Sequence, residues 1–173
     1  MERSLLIRNA EMVFEGRMLH GDLRAVGGSI ETVAPGGGLD TRQGEVVVDA
    51  DGLVLLPGAI DPQVHFREPG QPEKEDIGSG SKAAASGGIT SFLDMPNNVP
   101  SATSMSAIQS KIDSASRTAV NHYGFFIGAT PDNIPDLQAA VGTPDSPKPV
   151  DGVCGIKVFM GSSTGDLLVD EQA

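Results

Sequence analysis

Near residue 57 the hydropathy pattern of the chain changes period, and that switch divides the molecule into two kinds of structure. Before it, short β-type runs (Leu5 to Arg8, Met12 to Phe14, Ile30 to Val33, Glu45 to Val48, Leu53 to Leu56) are separated by turn signals. These are Glu15-Gly16, Gly27-Gly28, Pro35-Gly36-Gly37-Gly38 and Asp51-Gly52. Residues 1–56 therefore read as a small, β-sandwich-like N-terminal unit. After the switch, β-type runs at Ile89 to Leu93, Val120 to Ile127 and Val153 to Met160 alternate with helical runs at Glu75 to Ser86 and Thr103 to Arg117. Alternation of that kind predicts βαβ units and a parallel sheet over residues 57–173.

Punctuation supports the parse. Gly87-Gly88 can end the first helix in a left-handed cap, and Ser101 or Thr103 can cap the second. Thr130-Pro131 predicts the start of a third, short helix. Pro144, Pro147 and Pro149 make a loop of Gly142 to Gly152. From Leu55 onward there are four β-type segments, whereas a (β/α)8 barrel needs about 250 residues. The expected architecture is α/β: the first half of a TIM-type barrel, truncated, behind a small β domain. Such a half barrel would leave two sheet edges uncovered.

Composition narrows the function classes. The chain has 12 Lys plus Arg against 23 Asp plus Glu, a formal charge of −11, which argues against binding a phosphate backbone as the main activity. No apolar run approaches the roughly 18 residues that cross a bilayer, and the start MERSLLIRN is not signal-like, so the expectation is a cytoplasmic protein without a membrane or nucleic-acid partner. The single cysteine, Cys154, excludes an internal disulfide and reads as a buried thiol.

The chemistry is concentrated in Asp61-Pro62-Gln63-Val64-His65-Phe66-Arg67-Glu68-Pro69-Gly70. On a strand, Asp61, Gln63, His65 and Arg67 would share one face, which at the end of a first barrel strand points into the active-site mouth. The same alternation also describes an exposed edge with four solvated side chains. Asn97, after Met95-Pro96, has the two readings of substrate ligand and turn residue. Lys157 stands in an apolar strand, Gly155 to Gly161, where a lysine snorkels, meets a carboxylate or is modified.

These segments together, above all His65-Phe66-Arg67-Glu68-Pro69-Gly70, resemble the dihydroorotase branch of the amidohydrolase superfamily. The resemblance implies reversible hydrolysis of the cyclic amide of dihydroorotate to N-carbamoyl-L-aspartate, a step of pyrimidine biosynthesis. It implies zinc, one or two ions, held by His65 and by Lys157 as carboxylysine, with Asp61 behind the ligands. It implies that Arg67 forks onto the substrate carboxylate with Asn97 beside it. Gln63 stands where the family has its first metal histidine, and an amide oxygen is the poorer zinc ligand. The resemblance also places the catalytic Asp and the remaining metal histidines on strands beyond residue 173, so no catalytic residue is expected here and the chain by itself is expected to be inactive. His20 and His122 match no ligand position and read as structural. Allantoinase and dihydropyrimidinase share the pattern, although Arg67 counts against the latter, whose substrate has no carboxylate. Gln63 keeps open a non-catalytic scaffold subunit. A homo-oligomer or a partner enzyme of the pyrimidine pathway is also left open.

Overall fold

A computed structural model describes residues 3–161 and 167–169. The chain divides into two compact units, Met1–Pro57 and Gly58–Ala173. No helix among the described residues is long and apolar enough to cross a membrane.

The first unit is one five-stranded sheet with the order β3-β2-β1-β4, in which β5 also pairs with β1. Its strands are β1 (Ser4–Phe14), β2 (Arg17–Val26), β3 (Ser29–Pro35), β4 (Val46–Asp49) and β5 (Val54–Leu55). Two-residue turns at Glu15-Gly16 and Gly27-Gly28, all four residues at positive φ, set the β1–β2 and β2–β3 registers. The expected breaks within β1 and over β2 are corrected here. Leu5 to Arg8 and Met12 to Phe14 are one strand, and Arg17–Val26, too polar to read as a strand, pairs along its whole length. A bulge between Ile7 and Ala10 explains the interruption. Asn9 takes a φ of 58° there and its N–H donates to Asp22 Oδ1 at 3.1 Å. One extra residue flips the parity of the strand, so Ile7 before the bulge and Ala10 and Met12 after it face the same small core, with Leu23, Val33 and Ala50.

The second unit is a four-stranded sheet of order β11-β8-β7-β6 in which every pairing is parallel. The strands are β6 (Ala59–Val64), β7 (Ile89–Asp94), β8 (His122–Gly128) and β11 (Val153–Lys157). Between them run α1 (Ile77–Ser86), α2 (Met105–Thr118) and α3 (Ile134–Val141). Two short strands, β9 (Gly142–Thr143) and β10 (Ser146–Pro147), pair inside the segment expected to be loop.

The helices begin where side chains can satisfy free N–H groups. Asp76 caps α1 by accepting from Ser79 N at 2.5 Å, and Ser104, rather than Ser101 or Thr103, caps α2 by accepting from Ala107 N at 3.2 Å. The third helix starts at Ile134 with Pro135 in its first turn, not at Thr130-Pro131. Thr130 N instead donates to Asn133 Oδ1 at 2.8 Å, which closes a turn before the helix. At the end of α1 it is Gly88, with a φ of 83°, that takes the left-handed conformation, one residue after the cap Gly87. Phe66, Phe92, Ile108, Ala115, Phe125 and Ile127 form the core, each of the large side chains contributing about 1.5–3 kcal/mol by leaving water. Gly80 has a packing role: a Cβ there would lie 2.4 Å from Phe66 Cε1, so glycine lets α1 approach the ring. Phe66 in turn meets Phe92 edge-on at 4.8 Å between centroids.

Candidate functional site

Parallel strands end on the same side of a sheet, so the segments that follow β6, β7 and β8 gather at one rim with the end of β11. The candidate residues occupy that rim, but β6 stops at Val64 and only Asp61 and Gln63 lie on the strand. His65 and Arg67 belong to the loop after it, which corrects the expectation of one strand face for all four. The loop is closed on itself: Arg67 N donates to Glu75 O at 2.9 Å and Gln71 N to Arg67 O at 2.8 Å. Glu68 ties it to the helices, accepting Ile77 N at 3.0 Å with one carboxylate oxygen and the Ser114 hydroxyl with the other.

His65 and Asn97 are in direct contact, with His65 Nδ1 at 2.8 Å from Asn97 Oδ1. A carbonyl oxygen only accepts, so Nδ1 is the donor in this bond and Nε2 is the ring nitrogen that does not face Asn97. Arg67 and Asn97 line a common cavity of about 720 Å³ with Gln71, Lys74, Thr103 and Thr130. Among the described residues no side chain bonds the Arg67 guanidinium. Lys74 brings a second cation to the same cavity, its Nζ donating to Gln71 Oε1 at 3.1 Å.

The remaining candidates share no side-chain hydrogen bond with that group among the described residues. Gln63 is exposed, and its N–H donates to Asp61 Oδ1 at 3.1 Å, so Asp61 is occupied with a local backbone turn. Lys157 ends β11, on the opposite edge of the four-stranded sheet from β6. Its carbonyl accepts Ala129 N at 2.9 Å, and its ammonium lies 5.1 Å from the Phe159 ring centroid. No three His, Cys, Asp or Glu side chains cluster as a metal site among the described residues. His20 Nδ1 sits 3.1 Å from Glu11 Oε1 in an exposed hydrogen bond, and His122 opens β8 in solvent. Cys154 corrects its expectation: it is exposed rather than buried, although partial burial still pushes its thiol up to about 11.

A buried polar cluster beneath the rim escaped the sequence reading. Lys111, on α2, is fully buried and its Nζ lies 2.7 Å from Asp94 Oδ2, 2.7 Å from Asn98 Oδ1 and 3.0 Å from Met95 O. Asp94 Oδ1 accepts Phe66 N at 3.0 Å, and Asn98 Nδ2 donates to Phe66 O and Glu68 O, both at 3.0 Å. Burial pushes the Asp94 carboxyl above its ordinary range, against the attraction of Lys111, and pushes the Lys111 ammonium down. A signal was present in the sequence, since Lys111 lies three residues after Ile108 and four before Ala115, on the apolar stripe of α2.

A parallel α/β sheet with a histidine, an arginine and an asparagine converging at its C-terminal rim is the arrangement of an amidohydrolase-type protein. Residues 52–143 match the family described as dihydro-orotase-like, and the chain belongs to that family. It is 47% identical over 98 residues to the dihydroorotase of Bacillus licheniformis, covering 56% of this chain and 22% of that one. To the allantoinase of Bacillus velezensis it is 32% identical over 167 residues, covering 96% of this chain and 34% of the relative. Among solved structures, the D-hydantoinase (dihydropyrimidinase) from Thermus sp. superposes with a TM-score of 0.76 at 27% identity, over 96% of this chain and 35% of that one. The L-hydantoinase from Arthrobacter aurescens shares the fold, with a TM-score of 0.82 at 22% identity over 98% of this chain and 35% of that one. The chain thus spans about a third or less of the length of these relatives.

Proposed function

We propose that the chain supplies the carboxylate-binding side of a dihydroorotase-type active site, where the cyclic amide of dihydroorotate is hydrolysed reversibly to N-carbamoyl-L-aspartate. In that reaction water adds to the ring carbonyl, the ring C–N bond breaks and the nitrogen takes up a proton. The observation that carries the proposal is the cavity shared by Arg67 and Asn97, with His65 bonded to Asn97. The Arg67 guanidinium would fork onto the carboxylate, and Asn97 Nδ2 would add a donor without adding charge. Because Asn97 Oδ1 is engaged by His65, the amide is held with its NH2 group available to a ligand.

The donor chemistry suits a zinc ion in part. His65 would bind it through Nε2, with Asn97 orienting the ring as outer-shell carbonyls do, and Lys157 would be a further ligand once its neutral amine had added carbon dioxide to give a carbamate and one proton. The exposed amide Gln63 is the weak member of the set. When bound, zinc would acidify a water and polarise the ring carbonyl. Asp61 would act only through Gln63, whose N–H it accepts.

Binding of dihydroorotate, N-carbamoyl-L-aspartate and uncharged allantoin, measured by calorimetry, tests the reading. Arg67→Ala should weaken both carboxylates by about 2–5 kcal/mol, because the partner charge is left without its fork. Arg67→Lys should restore little of the loss. The allantoinase relative that covers 96% of the chain favours a second reading. Allantoin bound more tightly than dihydroorotate, with no change in the Arg67 variants, would establish it. Zinc content gives a separate check, expected to fall in His65→Ala and to rise in Gln63→His. Zinc content unchanged by either substitution would count for a scaffold subunit.

A further inference from the structure

We infer that Lys111 is a positioning residue for the candidate site: from inside α2, its ammonium locks the loop that bears His65 and Arg67 to the loop that bears Asn97. The assignment rests on the proposed carboxylate site, and the two can fail separately.

The ammonium donates two hydrogen bonds, to Met95 O and Asn98 Oδ1, and pairs its charge with Asp94 Oδ2, and all three oxygens belong to one short segment. Asp94 Oδ2, Met95 O and Asn98 Oδ1 lie at 2.7, 3.0 and 2.7 Å, on either side of Asn97. Two of those residues then reach across to the neighbouring loop. Asp94 accepts Phe66 N, and Asn98 donates to the carbonyls of Phe66 and Glu68, each at 3.0 Å. Phe66 lies between His65 and Arg67, so the backbone of both candidate ligands is held by groups that Lys111 itself orients. Met95 N, donating to Val64 O at 3.0 Å, closes the same junction from the backbone.

Stability alone is a poor explanation for this cluster. Both members of the ion pair are closed off from water, and a buried pair usually contributes no more than apolar residues of similar volume. Geometry is the better account. An apolar side chain at position 111 could fill the space, but it could not draw three oxygens to within 3.0 Å of one atom. The proposed substrate contacts of Arg67 and Asn97 require a fixed separation between two loops, which the β6–β7 ladder, the His65–Asn97 bond and the backbone bond from Val99 N to Pro69 O at 3.3 Å set only at the surface of the junction. Lys111 supplies that link from a residue that touches no substrate.

The test replaces the ion pair by a neutral one that keeps the acceptor for Phe66 N, Lys111→Met/Asp94→Asn, with Asn98→Ala as a second variant that leaves the pair intact. Hydrogen exchange should speed at least tenfold at the amides of Phe66 and Met95 while the amides of β8 hold their wild-type rates. The Nδ1–H resonance of His65, protected by Asn97 in the wild type, should broaden into solvent exchange. Dihydroorotate binding should weaken at least tenfold in both variants, measured well below their melting temperatures. Equal acceleration at all amides would show a merely global role and overturn the inference, as would wild-type exchange at Phe66 with a wild-type His65 resonance in both variants. A wild-type protein that binds no dihydroorotate would overturn the carboxylate site, whereas localised exchange would still support Lys111 as the clamp.

Discussion

Among the described residues each unit buries one ion pair, and the two are built on opposite terms. In the first unit Arg24 grips Glu45 with two nitrogens, Nε to Oε1 at 2.8 Å and Nη2 to Oε2 at 3.1 Å, while the Ser4 hydroxyl and the Arg42 N–H donate to the same carboxylate. Hydrogen bonding by Arg24, then by Ser4, wins over burial and lowers the Glu45 carboxyl from 4.5 to about 2. In the second unit a lysine faces Asp94 in a drier place, and burial wins, so the Asp94 carboxyl rises and the Lys111 ammonium falls. A planar fork with four donors on one carboxylate strengthens a fold. A point charge among three oxygens aligns the segments that bear them.

The sharpest break of that contrast is Lys111→Met alone, which leaves the Asp94 carboxylate buried without its cation. We expect a loss of about 3–5 kcal/mol in urea unfolding, most of it recovered in Lys111→Met/Asp94→Asn. Substituting Glu45 should cost less, and differently. Glu45→Gln should lower the melting temperature at neutral pH. Because the folded carboxyl sits below its unfolded value, the contribution of Glu45 is complete above about pH 4.5 and disappears as pH falls towards 2. Stability curves of wild type and Glu45→Gln should therefore converge on acidification. Asp94 has the reverse sign: with its folded pKa raised, ionising it costs stability, and that cost vanishes as pH falls below the ordinary value of 3.8.

Glycines carry the comparison to smaller effects. Gly80→Ala in the second unit should cost about 1–3 kcal/mol, since the new methyl meets the Phe66 ring. Gly16→Ala in the first unit meets nothing within 4 Å and should cost only about 1 kcal/mol, the strain of an alanine at a φ of 74°. Melting curves of both variants check the order, and equal losses would remove the distinction between glycine for space and glycine for conformation.

Local signals carried much of the fold. The turns at Glu15-Gly16 and Gly27-Gly28, the βαβ alternation and the helical run over Thr103 to Arg117 each depend on a few neighbouring residues, and they read correctly. Arg17–Val26 did not, because its strand character comes from pairing with β1 on one side and β3 on the other rather than from its own residues. The bulge at Asn9 was equally invisible, since its cause is an aspartate 13 residues away. At the candidate site, Arg67, Asn97 and His65 were legible as a motif, and the structure places them at one rim. The clamp beneath them was not, because Asp94, Asn98 and Lys111 belong to different elements and acquire meaning only when those elements pack.

Buried amides hold much of that rim. Asn98 donates to two carbonyls of the preceding loop, and Asn133 does the same for Thr103 O and Gly128 O at 2.8 Å each. An amide used as a two-proton donor has a specific way of ageing. Hydrolysis of Asn98 to aspartate would turn an oxygen towards the carbonyls of Phe66 and Glu68, converting two attractions into two repulsions at the base of the Arg67 loop. The same bonds restrain the amide against the attack by the following backbone nitrogen that begins such hydrolysis. The rim is therefore its own preservative: chemical wear at Asn98 waits on opening of the loop, and shelf life and loop order should decline together.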